Sequence, residues 1–477
     1  MSRRAHSSDS GASLVEYGAV LMIVSAVVAA VLMAGVPQRI DDLITSGLAR
    51  ALGPSDPGTG SNADPGEQYW NQSDPDSSPA TEPEHVTDPN HPDYEGPPAG
   101  HPAGPPAPSN AGPDPADADS EAVEAAVEEL EGCLSDWNED APWFTGTCAY
   151  DTYKDLSPEE LAAVVDTMSS QDLGRLFESG PIPLEQEYFD LVEEIQRTAP
   201  LDTLRALQNS GATPFAQPDF EGVGGDPAGG NSPSNVSYGE IDDYSLYGEG
   251  DEPVSWEHVN QNSLGDCWLM ATMGAMARQN PGHVEEMIQE NANGTYTVTF
   301  PGKDPVTVTP DLPLNPDGTP AFAGSNEDPP VIWPAIVEKA YADLEGNDYS
   351  NLENWHAGAA MNTFAGGAGM DYIPDVTDTT MDELAGKFEN GEAITLSTPP
   401  TMQLNDWPKD GTGKGDLVDD DAGTLVSGHV YFMTGVNRDD GTVTLRNPWG
   451  SHTDDIVLSL DEVNDNFAAI HSTNLDE

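Results

Sequence analysis

Cys267 stands directly ahead of an apolar, helix-forming run in Gln261-Asn262-Ser263-Leu264-Gly265-Asp266-Cys267-Trp268-Leu269. Unpaired backbone N–H groups and the dipole at a helix start favour a thiolate there. A thiolate nucleophile needs a base, and Gly428-His429-Val430-Tyr431 supplies an imidazole. Arg446-Asn447-Pro448-Trp449-Gly450 offers an amide to orient it. Such a set can run covalent acyl transfer. Cys267 attacks a carbonyl carbon, His429 takes the thiol proton and returns it to the leaving amine, and Asn447 holds one imidazole tautomer. Gln261 can donate its amide N–H to the developing oxyanion, beside the Cys267 backbone N–H. Trp449 can shield the His–Asn bond from water. No metal ligands are expected in this chemistry. Taken singly, each residue has a plainer reading: a buried Cys beside Trp is ordinarily inert core, a His between Gly and Val is structural, and Asn-Pro-Trp-Gly is a turn. Their order and context, with Gln261 in place, favour the chemical reading.

Those side chains need elements to hold them. From about Glu252 the texture is that of a globular domain of helices and strands. Cys267 to Arg278 is rich in Ala and Met and fits a buried helix, and Ile332 to Leu344 fits another. Thr295 to Phe300 and Pro305 to Thr309 alternate as strands do. Ile394 to Ser397, His429 to Val436 and Thr442 to Arg446 also read as strands. Asn437-Arg438-Asp439-Asp440-Gly441 joins the last two as a hairpin. His429 then lies at a strand start and Asn447 at a strand end, and an antiparallel hairpin brings those ends together.

From Glu252 onward the chain resembles the protease core of the calpain family. The resemblance rests on Gln261 to Trp268, Gly428 to Tyr431, Asn447 to Gly450, Trp333 and Glu338-Lys339-Ala340-Tyr341. The 162 residues from Cys267 to His429 are near the ~130–150 of papain-like enzymes. The resemblance implies an α+β class: a papain-like, two-lobed cysteine protease core over 251–477, one half bearing the Cys and the other the His and Asn. Extended peptide would bind between them. Asn262 departs from the usual Gly. Animal members bind calcium in each half, but His258 and Ser350 here stand where carboxylate ligands are expected. An acidic loop after Asn447 is hard to find among Ser451, His452, Asp454 and Asp455. The expectation is a cysteine endopeptidase acting on proteins or peptides, with no cofactor and with little or no calcium dependence. The rivals are an inactive protease-like domain of a surface or pilus protein, and acyl transfer to an amine.

The rest of the chain sets the surroundings. With 84 acidic against 16 basic residues, the net charge is −68. No Lys or Arg occurs between Arg50 and Lys154, which argues against nucleic acid as a partner. Tyr17 to Gln38 is a 22-residue span free of charge, enough for a helix to cross a bilayer, which takes ~20 residues. Arg3 and Arg4 before it favour a cytoplasmic N-terminus and an exported C-terminus. Gly11-Ala12-Ser13-Leu14-Val15-Glu16-Tyr17 and the following run resemble a type IVb (Flp-like) prepilin, which implies cleavage after Gly11 and pilin-like self-assembly. A plain signal anchor and a cleaved secretory signal are the alternatives.

Residues 1–50 are therefore expected to be a transmembrane segment, placing the protease outside the membrane or at the cell surface. Residues 51–118, rich in Pro, Gly and Asp, are expected to be a disordered linker. Residues 119–212 are expected to form a small all-α module that spaces, docks a partner or covers the site. Ser157-Pro158-Glu159-Glu160 there is a capping box. Residues 213–250 are expected to be a second linker. Cys133 and Cys148 either pair in an oxidising compartment or are unrelated buried thiols.

Overall fold

A computed structural model describes residues 113–135, 143–177, 186–224, 235–241, 243–250, 253–366, 371–373, 376, 379–399, 418–419, 423–450 and 455–475. The charge-free span, the prepilin-like motif and most of the first linker lie outside them. Among the described residues no helix is long and apolar enough to cross a membrane.

Six helices make the module: α1 (Ser120–Ser135), α2 (Trp143–Tyr153), α3 (Pro158–Thr167), α4 (Ser170–Phe177), α5 (Gln186–Thr198) and α6 (Leu201–Asn209). At the start of α3 the expected capping box forms: Ser157 Oγ accepts the Glu160 N–H at 3.2 Å, and Glu160 Oε2 accepts the Ser157 N–H at 2.8 Å. Leu161, Val164, Leu173 and Leu204 point inward at helical spacing, around Phe177 stacked on Tyr153 at 4.3 Å. Cys133 and Cys148 form a disulfide tying α1 to α2, with Cα atoms 5.7 Å apart.

The described parts of 213–250, a segment read as linker, carry structure. Ile241 and Tyr244 are in the core of the following domain. Strand β1 (Ser237–Gly239) pairs antiparallel with β5 (Leu312–Leu314). The Gly and Asp content hid a few apolar anchors, enough to pin a segment that has little core of its own.

The Cys-bearing half is built on α7 (Cys267–Gln279). This helix is apolar on every face, and Trp268 to Ala277 are all buried, as expected of a helix running through a core. It stops at Asn280, before Pro281, because a residue preceding proline disfavours the helical conformation. Helix α8 (Pro281–Met287) leads into the antiparallel meander β2 (Ile288–Glu290), β3 (Tyr296–Val298) and β4 (Val306–Val308). Helices α9 (Trp333–Leu344) and α10 (Ala357–Phe364) pack against α7.

The His/Asn-bearing half is an antiparallel sheet of β6 (Asp371–Ile373), β7 (Ala393–Ser397), β10 (Val430–Asn437), β11 (Thr442–Arg446), β12 (Ile456–Ser459) and β13 (Ala469–Thr473). Its order is β12-β11-β10-β7-β13-β6. A short β8–β9 pair (Val418–Asp419, Gly423–Thr424) precedes β10. Helices α11 (Met381–Glu389) and α12 (Leu460–Asn466) flank the sheet. Leu396, Tyr431, Leu445 and Leu458 fill a second core.

Helix α7 lies directly on β7 and β10. The close approach needs Gly274: a Cβ there would meet the buried Phe432 ring at 2.6 Å. Arg278 Nε donates to Thr434 O at 2.9 Å near the helix end. The module joins the Cys-bearing half through Asn293, which donates to Ala199 O at 2.7 Å. Arg205 bonds both Asp311 oxygens at 3.0–3.2 Å, and the buried Lys339 ammonium reaches Gln217 Oε1 at 2.7 Å.

Candidate active site

Helix α7 starts at Cys267, so its thiol lies at the positive end of the helix as the sequence suggested. It is the only free cysteine and is half-buried. The segment ahead of it is held from two sides: Asn354 N–H donates to Gly265 O at 2.9 Å, and the Trp268 indole donates to Leu352 O at 2.7 Å.

His429 sits at the mouth of β10, after Gly428 in the left-handed region (φ 65°) that turns the chain into the strand. Asn447 follows β11. Pairing of Phe432 with Arg446 and of Asn437 with Thr442 brings the hairpin's open ends together. His429 Nε2 and Asn447 Oδ1 are 2.9 Å apart and both side chains are buried. An amide oxygen only accepts, so Nε2 carries the proton and Nδ1 is left as the basic nitrogen. The same Oδ1 accepts the Trp449 N–H at 3.1 Å. The Trp449 ring covers the imidazole at 4.9 Å, and Tyr431 meets it edge-on at 5.2 Å. Tyr431 holds its own proton more tightly than usual, chiefly through burial, with the nearby Cys267 as a lesser cause.

Gln261 is buried, and its backbone N–H donates to Pro448 O at 2.8 Å, linking it to the Asn-Pro-Trp turn. Its Nε2 donates one proton to Leu264 O at 2.7 Å. A carboxamide nitrogen carries two. Gln261 and Trp449 also border a cavity of about 580 Å³ with Asn260, Ser263, Asn315 and Asn326. Uncharged polar side chains dominate this wall in an otherwise acidic protein.

Thr398, unremarked in the sequence, fixes His429: its N–H donates to His429 O at 2.9 Å, and its Oγ1 accepts the His429 N–H at 2.9 Å. A lone Thr after a strand carries no signal. Glu338, named in the sequence only within the run Glu338-Lys339-Ala340-Tyr341, lies with Lys339 in the buried stretch of α9. Its carboxylate is buried and accepts the Ala323 backbone N–H at 3.0 and 3.1 Å.

Of the expected calcium positions, His258 offers a ring nitrogen and no side-chain oxygen. His258 Nδ1 accepts the Trp333 indole N–H at 3.1 Å and the Ser255 N–H at 3.2 Å, and burial depresses its basicity. A hard cation prefers oxygen ligands, whereas this nitrogen is already committed. The Ser350 side chain packs against Gly222. Asp455 pairs with Arg446 at 2.9 Å, while Ser451, His452 and Asp454 lie outside the described residues. Among the described residues no cluster of three or more His, Cys, Asp or Glu could hold a metal.

Residues 242–455 match the family described as calpain family cysteine protease. Over 215 residues the chain is 30% identical to the rice calpain-type cysteine protease ADL1 (Oryza sativa subsp. japonica), covering 42% of this chain and 9% of that protein. It is 28% identical over 207 residues to human calpain-14, covering 40% of this chain and 27% of the relative. Against Drosophila melanogaster calpain-B it is 27% identical over 272 residues, 52% of this chain and 28% of the relative. The chain thus spans well under a third of the length of these relatives, and the similarity concerns the domain. That domain is of the calpain-family cysteine protease type.

Proposed function

We propose that the calpain-type domain is an active cysteine endopeptidase, with Cys267 as nucleophile, His429 as general base and acid, Asn447 as orienter and Gln261 as oxyanion donor, in a papain-like two-lobed arrangement. The observation that carries this is the buried His429–Asn447 bond at 2.9 Å, capped by Trp449 on the strand against which the Cys267 helix lies. His429 Nδ1 takes the thiol proton, and the thiolate attacks the peptide carbonyl. Negative charge gathers on the carbonyl oxygen, where the spare Gln261 N–H and the Cys267 N–H can stabilise it. The imidazolium then protonates the leaving amine, and water hydrolyses the acyl-enzyme. The cavity bordered by Gln261 and Trp449 supports the reading by offering polypeptide a place beside those two residues.

Calcium is not required in this reading. The Cys133–Cys148 bond supports an oxidising compartment, in keeping with export and with tethering through Tyr17 to Gln38. Prepilin-type cleavage after Gly11, with self-assembly, rests on the sequence motif alone. Incubating the full chain with an unfolded protein substrate and weighing the products tests the activity. New peptide termini are expected from the wild type and none from Cys267→Ala. Equal cleavage by both would overturn the assignment. Amine-linked product masses would indicate transfer to an amine instead of water.

A further inference from the structure

One wall of the cavity beside Gln261 and Trp449 is a chain of amides in which each bond fixes the next. Residues 260–263 are seamed to the loop after β5. Asn260 and Gly324 exchange backbone N–H···O bonds at 3.2 and 3.0 Å, and Ser263 N–H donates to Ala321 O at 3.0 Å. Asn262, where the resemblance expects Gly, adds its side chain to the seam. Its Nδ2 donates to Phe322 O at 2.7 Å and to Pro320 O at 3.3 Å. Carbonyl oxygens only accept, so the Asn262 nitrogen must face them and its Oδ1 must face away. That Oδ1 takes the Asn260 Nδ2 donor at 3.3 Å, and Asn326 Oδ1 takes it at 3.4 Å. Asn260 Oδ1 is thereby left over as an acceptor. It is buried and has no hydrogen-bond partner among the described residues. The Asn260 side chain fills the space that a Cβ on Gly450 would take, next to Trp449 in the chain. Gln261 Oε1 is a second buried acceptor in the same condition, because Nε2 is the atom turned to Leu264 O.

Buried polar atoms ordinarily have a partner, and a group entering the cavity can supply one. The chemistry of the wall narrows which group. None of the residues lining the cavity carries a charge. Asp317, in the adjoining turn, is exposed, and its carboxylate is taken by the Thr319 N–H and hydroxyl at 3.1 and 2.7 Å. An ionised side chain would therefore lose water without gaining a counter-charge. An apolar one would leave both acceptors unpaired. A hydroxyl or a carboxamide meets both conditions. The place along a substrate follows from the base. In the proposed mechanism His429 protonates the leaving amine, so the departing chain lies on the imidazole side. The Trp449 ring that covers this imidazole at 4.9 Å also borders the cavity.

Building on the endopeptidase reading above, we propose that this cavity is the subsite for a substrate residue just beyond the scissile bond, on the leaving-group side, and that Asn260 selects there a neutral side chain bearing a hydrogen-bond donor: Ser, Thr, Asn or Gln. Asn262 is a positioning residue, holding the Asn260 amide in the one orientation that offers its oxygen.

The first test needs no turnover. The full chain carrying Cys267→Ala is titrated with short fluorescein-labelled, alanine-rich peptides that differ in one central residue, and anisotropy gives each Kd. Thr and Val, and Asn and Leu, are pairs of similar shape that differ in the donor. The donor-bearing member of each pair is expected to bind ~10-fold tighter, as one net hydrogen bond implies. Adding Asn260→Leu should bring both ratios near unity. Asn262→Gly, a change at a half-buried position that keeps Asn260 itself, should lower them by ~3-fold or more. Equal binding within the pairs, no binding of any peptide, tighter binding of Lys or Glu peptides, or ratios untouched by both substitutions would overturn the inference. In the second test the wild-type chain digests a denatured protein mixture, and the new amino termini are sequenced. Ser, Thr, Asn and Gln are expected to be enriched in the first two positions after the cut. Cleavage without that enrichment overturns the subsite and leaves the activity standing. The predicted binding ratios without any cleavage overturn the activity and leave the cavity as a peptide site.

Discussion

Asn447 gives His429 one proton arrangement and one orientation, through a bond buried under Trp449. The cost of losing that bond is a rate effect, because the amide touches the base and not the substrate. Asn447→Ala is expected to lower kcat by ~10²-fold or more with KM little changed, read from steady-state kinetics on a quenched peptide. A rise in KM at constant kcat would assign the residue to substrate binding instead. The sulfur matters as much as its position. Cys267→Ser should lose more than ~10³-fold in turnover, because an alkoxide is far harder to generate than a thiolate. Comparable turnover in that variant would sink the nucleophile assignment. Gln261 is held by Pro448 and Leu264 before any substrate arrives. In the proposed mechanism this holds it in place for the charge that develops on the carbonyl oxygen.

Helix α7 and the β10–β11 hairpin are the two elements that must meet for the chemistry, and Gly274 sets how closely they do. Gly274→Val would drive a branched side chain into the buried Phe432 ring, at a cost of about 1–3 kcal/mol. Chemical denaturation should show the loss, and cleavage should fall with it. Unchanged stability would mean that the helix and strand can separate freely. Much of this was legible beforehand. The helix from Cys267, the helix ending at Leu344 and the hairpin around 437–441 all stand within a residue or two of their expected places. Long periodic runs and Asp-Gly turns carry strong local signals. What escaped notice depends on distant partners. Strands β12 and β13 are short and partly polar, and gain their identity from the sheet they join. β1, in the expected linker, is fixed by β5 some 75 positions away. Thr398 matters only because β7 runs beside β10 and brings it to His429. The pairing of Cys133 with Cys148, open in the sequence, is settled by the packing of α1 on α2.

At the scale of the whole chain, a disulfide-bonded helical module is fastened to the Cys-bearing half through Arg205, Asn293 and Thr295. The bond closes a separation of 15 residues, for which loop-closure entropy gives about 3 kcal/mol. Replacing both Cys133 and Cys148 by Ala should therefore lower the stability of the module by roughly that amount, measured by urea unfolding under non-reducing conditions. No change would show that packing alone holds α1 to α2. Calcium enters at this scale too. With His258 Nδ1 committed to Trp333 and Ser255, EGTA should leave proteolysis by the full chain intact. Abolition by EGTA and recovery on adding calcium would contradict that. The most direct test of the endopeptidase reading treats the intact chain with an epoxysuccinyl electrophile and weighs it. The account predicts one inhibitor mass per chain, located on Cys267 and absent from His429→Ala. A folded, reduced wild-type chain that takes up no label, or equal labelling of His429→Ala, would contradict it.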